Sequence, residues 1–215
     1  MRSDDSNSAR STKHEALRLA VLLSGRGSNF NAIQQAIANG TLDAEIVCVI
    51  SNRLGAPGVV RARELGLAVH EIDHKAHQSR LDHEYAVQAV LKDAHPDFVI
   101  LAGYMRLLSS SFIDDWPNRI INIHPSLLPA FPGVDAQKQA VEYGVKVSGC
   151  TVHFVDENLD AGPIIVQRTV DVRDDDTAET LSARILEQEH VAYVEALVAL
   201  STRAWRIDGR RVVFE

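Results

Sequence analysis

The chain has 215 residues, of which 46% are hydrophobic and 24% are charged, and its formal net charge is −7. The acidic balance argues against a nucleic-acid-binding protein, which would carry a basic field. No apolar run approaches the roughly 18 residues that span a membrane, and the first residues lack the apolar core of a secretory signal. We therefore expect a cytoplasmic protein with one domain over residues 16–215, preceded by a disordered tail over residues 1–15.

The first half of the chain alternates short apolar runs with segments of helical periodicity. Helices are predicted around Phe30 to Ile37, from Gly58 to Leu65, and from about Ser79 to Ala94. The apolar runs between and after these helices are predicted to be strands, at residues 17–24, 44–51, 67–72, 98–102 and 120–123. This alternation predicts an α/β fold, a mostly parallel twisted sheet with helices on both faces.

The second half of the chain predicts an extension of this sheet. Residues 148–155 and 164–170 are predicted strands separated by an acidic loop. Asp176 and Glu179 are interpreted as a capping box that begins a long helix ending near Leu200. The Asp208-Gly209 pair lies between apolar residues and predicts a hairpin over residues 205–214. Two cysteines inside apolar runs, Cys48 and Cys150, are expected to be buried thiols and not a disulfide.

A glycine-rich segment, residues 24–29 (Ser-Gly-Arg-Gly-Ser-Asn), follows the first strand and begins the first helix. We call it the glycine loop. Glycines allow the backbone to approach an anion, and the helix N-terminus offers free N–H groups, so a phosphate is the expected ligand. A tight turn without a ligand is the alternative. A dinucleotide fits less well, because Phe30 replaces the third glycine of that fingerprint and the second strand ends in Ser51-Asn52 without an acidic residue.

Two polar residues, Asn122 and His124, end the predicted strand at 120–123. Alternate residues of a strand share a face, so both side chains should point the same way. Ligands of open α/β sheets bind beyond the carboxyl ends of the strands, where Asn122 offers an amide donor and His124 an acid or base. The alternative is a pair of hydrogen-bonded polar residues without a catalytic role.

Two further loops are candidates for covering this site. Residues 125–133, the proline loop, contain three prolines and one glycine and are too apolar for a simple linker. We expect this loop to pack over the site, with a rigid surface loop as the alternative. Residues 156–163 form an acidic loop, and a carboxylate near His124 would favour its imidazolium form. Asp160 is the candidate, although acidic loops are usually only solvated.

The segments 24–29, 101–106 (Leu-Ala-Gly-Tyr-Met-Arg), 122–129 (Asn-Ile-His-Pro-Ser-Leu-Leu-Pro) and 149–163 together resemble the folate-dependent phosphoribosylglycinamide formyltransferases. The resemblance extends from about Leu19 to about Leu200. It implies a Rossmann-like formyltransferase fold, with a nucleotide-binding half over about residues 16–117 and a folate and catalytic half over about 118–215. It also implies transfer of a formyl group from 10-formyltetrahydrofolate, a co-substrate, to the amine of glycinamide ribonucleotide in purine synthesis, without a metal.

The resemblance also implies the role of each matching residue. The catalytic residues would be Asn122, His124 and Asp160. The ribonucleotide would contact Gly27, Ser28, Asn29, Phe30, Asn31 and Glu189. The folate would contact Arg80, Met105, Arg106, Leu107, Leu108 and Asn122. The partners would be these small molecules, with no nucleic acid and no membrane, and the oligomeric state stays open, a homodimer included.

Three other classes of function remain as alternatives. Methionyl-tRNA formyltransferase and formyltetrahydrofolate deformylase are similar, but the first usually adds a C-terminal domain and the second an N-terminal one. A non-catalytic mononucleotide-binding module would need the glycine loop but not Asn122, His124 and Asp160 together. A metal site at His70, Asp73, His74 and His77 lacks a recognised ligand spacing, so a solvated loop is expected there.

Overall fold

The structure, a computed structural model, describes residues 16–215, and the tail predicted over residues 1–15 lies outside the described residues. Nine strands form one sheet. They are β1 (Leu17–Leu23), β2 (Ala44–Ser51), β3 (Val69–Glu71), β4 (Phe98–Leu101), β5 (Ile120–His124), β6 (Val147–Phe154), β7 (Ile164–Asp171), β8 (Trp205–Asp208) and β9 (Arg211–Phe214).

The strand order is β3-β2-β1-β4-β5-β6-β7-β9-β8. The first five strands pair in parallel, since helical crossovers return the chain to the same edge. Strand β6 runs antiparallel to both β5 and β7, while β9 joins β7 in parallel and forms a hairpin with β8. The predicted mostly parallel sheet with a C-terminal extension and hairpin is therefore confirmed.

Helices cover both faces of the sheet, as predicted. The helices are α1 (Ser28–Ala38), α2 (Pro57–Glu64), α3 (Arg80–Ala94), α4 (Ser110–Asp114), α5 (Ala136–Tyr143) and α6 (Ala178–Thr202). One face packs α1, α2, α5 and α6 around residues such as Phe30 and Tyr193, and the other packs α3 and α4 around Leu91 and Phe112. Burial on both faces explains why β4 is a continuous apolar run and why β1 is apolar except for Arg18, instead of alternating.

The element boundaries differ from the predictions at several points. Strand β3 is shorter than the predicted 67–72, and α4 and α5 were missed because each is too short for its periodicity to be visible. The predicted capping box at the start of α6 is wrong. Thr177 and Thr180 form the box instead, each side chain accepting the other's backbone N–H. Asp176 precedes the N-cap and pairs with Arg184.

The prediction of two buried thiols is borne out within the described residues. Cys48 and Cys150 are buried free thiols, and burial raises the pKa of Cys48 to about 11. Among residues 16–215, no helix is both long enough and apolar enough to cross a membrane.

Candidate active site

The candidate residues converge where β1, β4 and β5 end. These three strands are neighbours in the order β1-β4-β5 and run in parallel, so their carboxyl ends share one edge. The glycine loop follows β1, Gly103 follows β4, and His124 ends β5. The sheet thus brings together segments separated by about a hundred residues, at the edge where ligands of such sheets bind.

The glycine loop presents the open N-terminus of α1. Gly27 is the N-cap in the left-handed region (φ 69°), and no side chain caps the helix. The N–H of Asn31 is already bound to the Gly27 carbonyl, 2.9 Å away, so the N–H groups available for an anion are those of Ser28, Asn29 and Phe30. The Phe30 side chain is fully buried in the core, which limits its predicted binding role to the main chain.

A second helix fixes the shape of this loop. The Gly58 N–H at the start of α2 donates to the Gly25 carbonyl at 3.0 Å. A Cβ on Gly58 would lie 2.9 Å from Leu23 and 3.2 Å from the Gly27 Cα. The close contact between the two backbones therefore favours glycine at residue 58. The same contact packs α2 against the glycine loop and fixes its position.

Glu189 lies on α6 and reaches the glycine loop from the opposite side. The Asn29 Nδ2 group donates to Glu189 Oε2 at 2.8 Å, and both residues are buried. Within the described chain, Asn29 Oδ1 is also buried but has no hydrogen-bond partner. Burial raises the pKa of Glu189, and the bond from Asn29 opposes this by lowering it. The pair offers two acceptor groups to a hydroxyl-bearing ligand.

We expect Glu189→Gln to increase the free energy of unfolding of the ligand-free protein at about pH 8. Between the unfolded-state pKa of 4.5 and the raised native pKa, the native carboxyl keeps a proton that the unfolded chain has lost, so stability falls as pH rises through this window and stays lower above it. The gain should shrink as the pH is lowered towards 4.5. Urea titrations at several pH values measure it. Glu187→Gln, an exposed change on the same helix, should give no such trend.

His124 has a defined proton on one ring nitrogen. Its Nε2 lies 2.8 Å from the Phe131 carbonyl, which can only accept, so Nε2 carries a hydrogen. Its Nδ1 lies 3.4 Å from Asp160 Oδ2, an ion-pair distance longer than most direct hydrogen bonds. Nδ1 is therefore the nitrogen that is left to exchange a proton with a substrate.

Asp160 holds the proline loop as well as facing His124. Its Oδ2 accepts the Gly133 N–H at 2.7 Å, and its side chain is almost fully buried. The proline loop therefore packs over the site as expected, anchored by the Phe131 carbonyl at His124 and by Gly133 at Asp160.

His153 is a residue of this site that the sequence analysis missed. It pairs with Asn122 across β5 and β6, and Asn122 Nδ2 lies 3.3 Å from His153 Nε2. Since His153 Nδ1 donates to the Phe154 carbonyl at 2.8 Å, the neutral ring accepts one Asn122 hydrogen at Nε2. Burial lowers the pKa of His153 and so favours this neutral form. The second Asn122 N–H stays available to a substrate.

The residues predicted to contact folate lie in the segment that follows β4 and at the start of α3. Met105 and Leu107 are exposed to 71% and 65%, while Arg106 and Leu108 are half-buried. Arg80 is exposed at the start of α3, with Nε 3.7 Å from Glu84 Oε1. Because the buried Glu84 accepts the Ser109 N–H at 3.0 Å, Arg80 lies beside the end of this loop.

The histidines considered for a metal do not converge. His70 is exposed on β3, whereas His74 Nδ1 donates to the Asn52 carbonyl at 2.8 Å and His77 stacks edge-on against His83. Within residues 16–215, no group of three or more metal-binding side chains is placed to hold an ion.

The comparison with known proteins identifies the family. A profile described as formyl transferase matches residues 17–197, most of the chain. The chain belongs to the formyl transferase family. The phosphoribosylglycinamide formyltransferase of Escherichia coli (strain K12) is 38% identical over 199 residues, covering 93% of this chain and 91% of that protein. The family resemblance drawn from the motifs is confirmed.

Some relatives of this formyl transferase are much longer. The trifunctional purine biosynthetic protein adenosine-3 of Gallus gallus is 45% identical over 191 residues, 89% of this chain but only 19% of that protein. The chain thus spans about a fifth of that relative's length.

Solved structures of formyl transferases show the same fold. Glycinamide ribonucleotide transformylase 1 from Symbiobacterium toebii is 44% identical, with a TM-score of 0.91, covering 97% of this chain and 99% of that chain. A formyltetrahydrofolate deformylase from Pseudomonas syringae is also similar, with a TM-score of 0.87, but only 26% identical, covering 93% of this chain and 66% of that one.

Proposed function

We propose that this formyl transferase moves the formyl group of 10-formyltetrahydrofolate to the amine of N1-(5-phospho-D-ribosyl)glycinamide. The products are formylglycinamide ribonucleotide and tetrahydrofolate, a step of de novo purine (IMP) biosynthesis. The observation that carries the proposal is that Asn122, His124 and Asp160 lie together at the carboxyl edge of the sheet that also carries the glycine loop and residues 105–108. Relatives named phosphoribosylglycinamide formyltransferase support the choice of substrates.

The two substrates occupy neighbouring parts of this edge. The phosphate binds the N–H groups of Ser28, Asn29 and Phe30, where the positive end of the α1 dipole faces it. The Asn29–Glu189 pair accepts hydroxyl hydrogens of the ribose. The folate lies against residues 105–108, with the exposed Met105 and Leu107 providing apolar surface and Arg80 a positive charge for its carboxylates.

The reaction begins when the substrate amine attacks the formyl carbon. A tetrahedral intermediate forms, with negative charge on the former carbonyl oxygen. The free Asn122 N–H and a proton on His124 Nδ1 stabilise that oxygen, because both are fixed before the charge develops. Asp160, 3.4 Å from Nδ1, stabilises the positive charge on the ring during this step.

Collapse of the intermediate breaks the bond between the formyl carbon and the folate N10. His124 gives its Nδ1 proton to N10, so tetrahydrofolate leaves as a neutral amine. The surplus proton of the attacking nitrogen returns through a water to His124. Proton and electron counts therefore balance, and Nε2 keeps its hydrogen, which it donates to the Phe131 carbonyl throughout.

The direct test mixes the purified protein with both substrates and follows release of tetrahydrofolate. The control omits the ribonucleotide. Release that requires the ribonucleotide is the expected result. Release in its absence would instead favour the formyltetrahydrofolate deformylase, and no release with either mixture would contradict the proposal and direct the next assay to methionyl-tRNA.

A cytoplasmic location and a homodimer are further parts of this hypothesis. Fluorescence microscopy of the tagged protein measures the first and sedimentation velocity the second. A single species at the mass of the 23.7 kDa chain would contradict the dimer.

A further inference from the structure

Ser24 connects the two loops that the proposed substrates occupy. It is the first residue of the glycine loop and is buried after β1. Its backbone N–H donates to the Gly103 carbonyl at 3.1 Å, and its Oγ accepts the Met105 N–H at 2.8 Å. One buried side chain therefore bonds directly to the backbone at the start of loop 105–108.

Asn52 determines the direction of the Ser24 hydroxyl. The Ser24 O–H donates to Asn52 Oδ1 at 2.5 Å, which leaves an Oγ lone pair for the Met105 N–H. Asn52 is itself buried and follows β2. Its backbone carbonyl accepts a hydrogen bond from His74 Nδ1. Because β2, β1 and β4 are adjacent, these bonds form a line along the carboxyl edge of the sheet.

Loop 105–108 is attached at its two ends and through Leu108, which packs against the core cluster that contains Leu91 and Phe112. The side chains of Met105 and Leu107 extend into solvent. At its far end, Ser109 donates both its backbone N–H and its hydroxyl to the buried Glu84. Backbone hydrogen bonds thus fix the loop through Ser24 at one end and through Glu84 at the other, and the exposed Met105 depends on Ser24 for its position.

We propose that Ser24, oriented by Asn52, is a positioning residue that places loop 105–108 for the formyl donor relative to the bound ribonucleotide. The inference rests on the proposed function, since it takes this loop as the donor site. The formyl carbon must lie within reach of the amine for attack, and a displacement of about 1 Å can cost on the order of 100-fold in rate. Neither Ser24 nor Asn52 touches the reacting atoms.

The decisive variant is Ser24→Ala, compared with wild type in steady-state kinetics with each substrate varied in turn. Loss of the Met105 anchor should raise the KM for 10-formyltetrahydrofolate about 5- to 20-fold, the range expected when a donor loses its buried partner. The KM for the ribonucleotide should change by less than about twofold, because the N–H groups of α1 keep their geometry. Ser24→Thr keeps the hydroxyl, so its KM for 10-formyltetrahydrofolate should lie close to that of wild type.

Hydrogen exchange gives a readout that needs no substrate. The Met105 amide should exchange at least about tenfold faster in Ser24→Ala than in wild type, because its hydrogen-bond acceptor is gone. Ser201→Ala is the matched control, since Ser201 Oγ donates to the Val198 carbonyl at 3.0 Å at the far end of α6. It should alter neither the donor KM nor Met105 exchange.

Asn52→Ala tests the orienting role. If Asn52 acts through Ser24, the variant that combines Ser24→Ala with Asn52→Ala should have the same donor KM as Ser24→Ala alone. If the two residues act independently, the increases in donor KM from the two substitutions should multiply. An unchanged donor KM in either single variant, or an equal rise in both KM values, would overturn the proposal. If Ser24→Ala does not fold, Asn52→Ala alone carries the kinetic test. A wild-type enzyme without ribonucleotide-dependent turnover would instead contradict the proposed function. The exchange rate of the Met105 amide would still test whether Ser24 anchors loop 105–108.

Discussion

His124→Ala is expected to lower kcat about 100- to 1,000-fold, the loss typical of removing one group that stabilises the developing oxyanion. The ring supplies the only proton in our mechanism that moves to the folate nitrogen, so no neighbouring side chain replaces it. The KM values should change little, because His124 contacts Phe131 and Asp160 and not the loops that hold the substrates. Single-turnover measurements with saturating substrates would isolate this chemical step.

The control for this variant is His70→Ala, an exposed histidine on β3. Both variants should retain cooperative unfolding, and the free energy of unfolding of His124→Ala should fall by no more than about 2 kcal/mol. Asn122→Ala should lose turnover to a similar extent, since it removes the second oxyanion donor. Near-normal turnover in both His124→Ala and Asn122→Ala would contradict the mechanism.

The sequence predicted well those features that depend on local pattern and sheet topology. Asn122 and His124 were predicted to share a face beyond a buried strand, and parallel strands necessarily bring such ends together. Their catalytic assignment, like that of the other site residues, stays a prediction. The start of α3 was also predictable, because Ser79 is a strong N-cap and accepts the Asp82 N–H at 3.1 Å.

Features that depend on pairing between distant segments were not predictable. His153 faces Asn122 only because β6 runs antiparallel to β5 in one register, and neither property is visible in a single sequence. A polar Thr151-x-His153 spacing inside an apolar strand was the available signal. Thr151 also contributes to the site. Its hydroxyl donates to the Ser126 carbonyl at 2.7 Å and accepts the Leu128 N–H at 3.0 Å, and so anchors the proline loop.

The failed capping box has a similar explanation. Thr177 and Thr180 have the same three-residue spacing as Asp176 and Glu179, and the sequence analysis considered only the acidic pair. In the structure, the Asp176 carboxylate pairs with Arg184 of the same helix and accepts the Arg173 N–H, so it caps no N–H group of the first helical turn. The helix therefore begins one residue later than its most acidic candidate.

Asp160→Asn separates the charge of this side chain from its structural contact. The substituted amide oxygen can still accept the Gly133 N–H, which Asp160 binds at 2.7 Å, so the proline loop should keep its place. The negative charge 3.4 Å from His124 Nδ1 is lost, and with it the stabilisation of the charged ring. We expect kcat to fall about 100-fold or more, within the range for acid–base catalysis, with both KM values nearly unchanged.

A second carboxylate of the acidic loop provides the control for that result. Glu157→Gln removes an equal charge from the same loop at an exposed position, so it should leave kcat within about twofold of wild type if screened surface charge contributes little. Equal losses in the two variants would show that the general field of the loop matters instead of the Asp160–His124 contact. A larger loss in Asp160→Ala than in Asp160→Asn would measure the further cost of releasing Gly133, because alanine removes both the charge and the acceptor that holds the proline loop over the site.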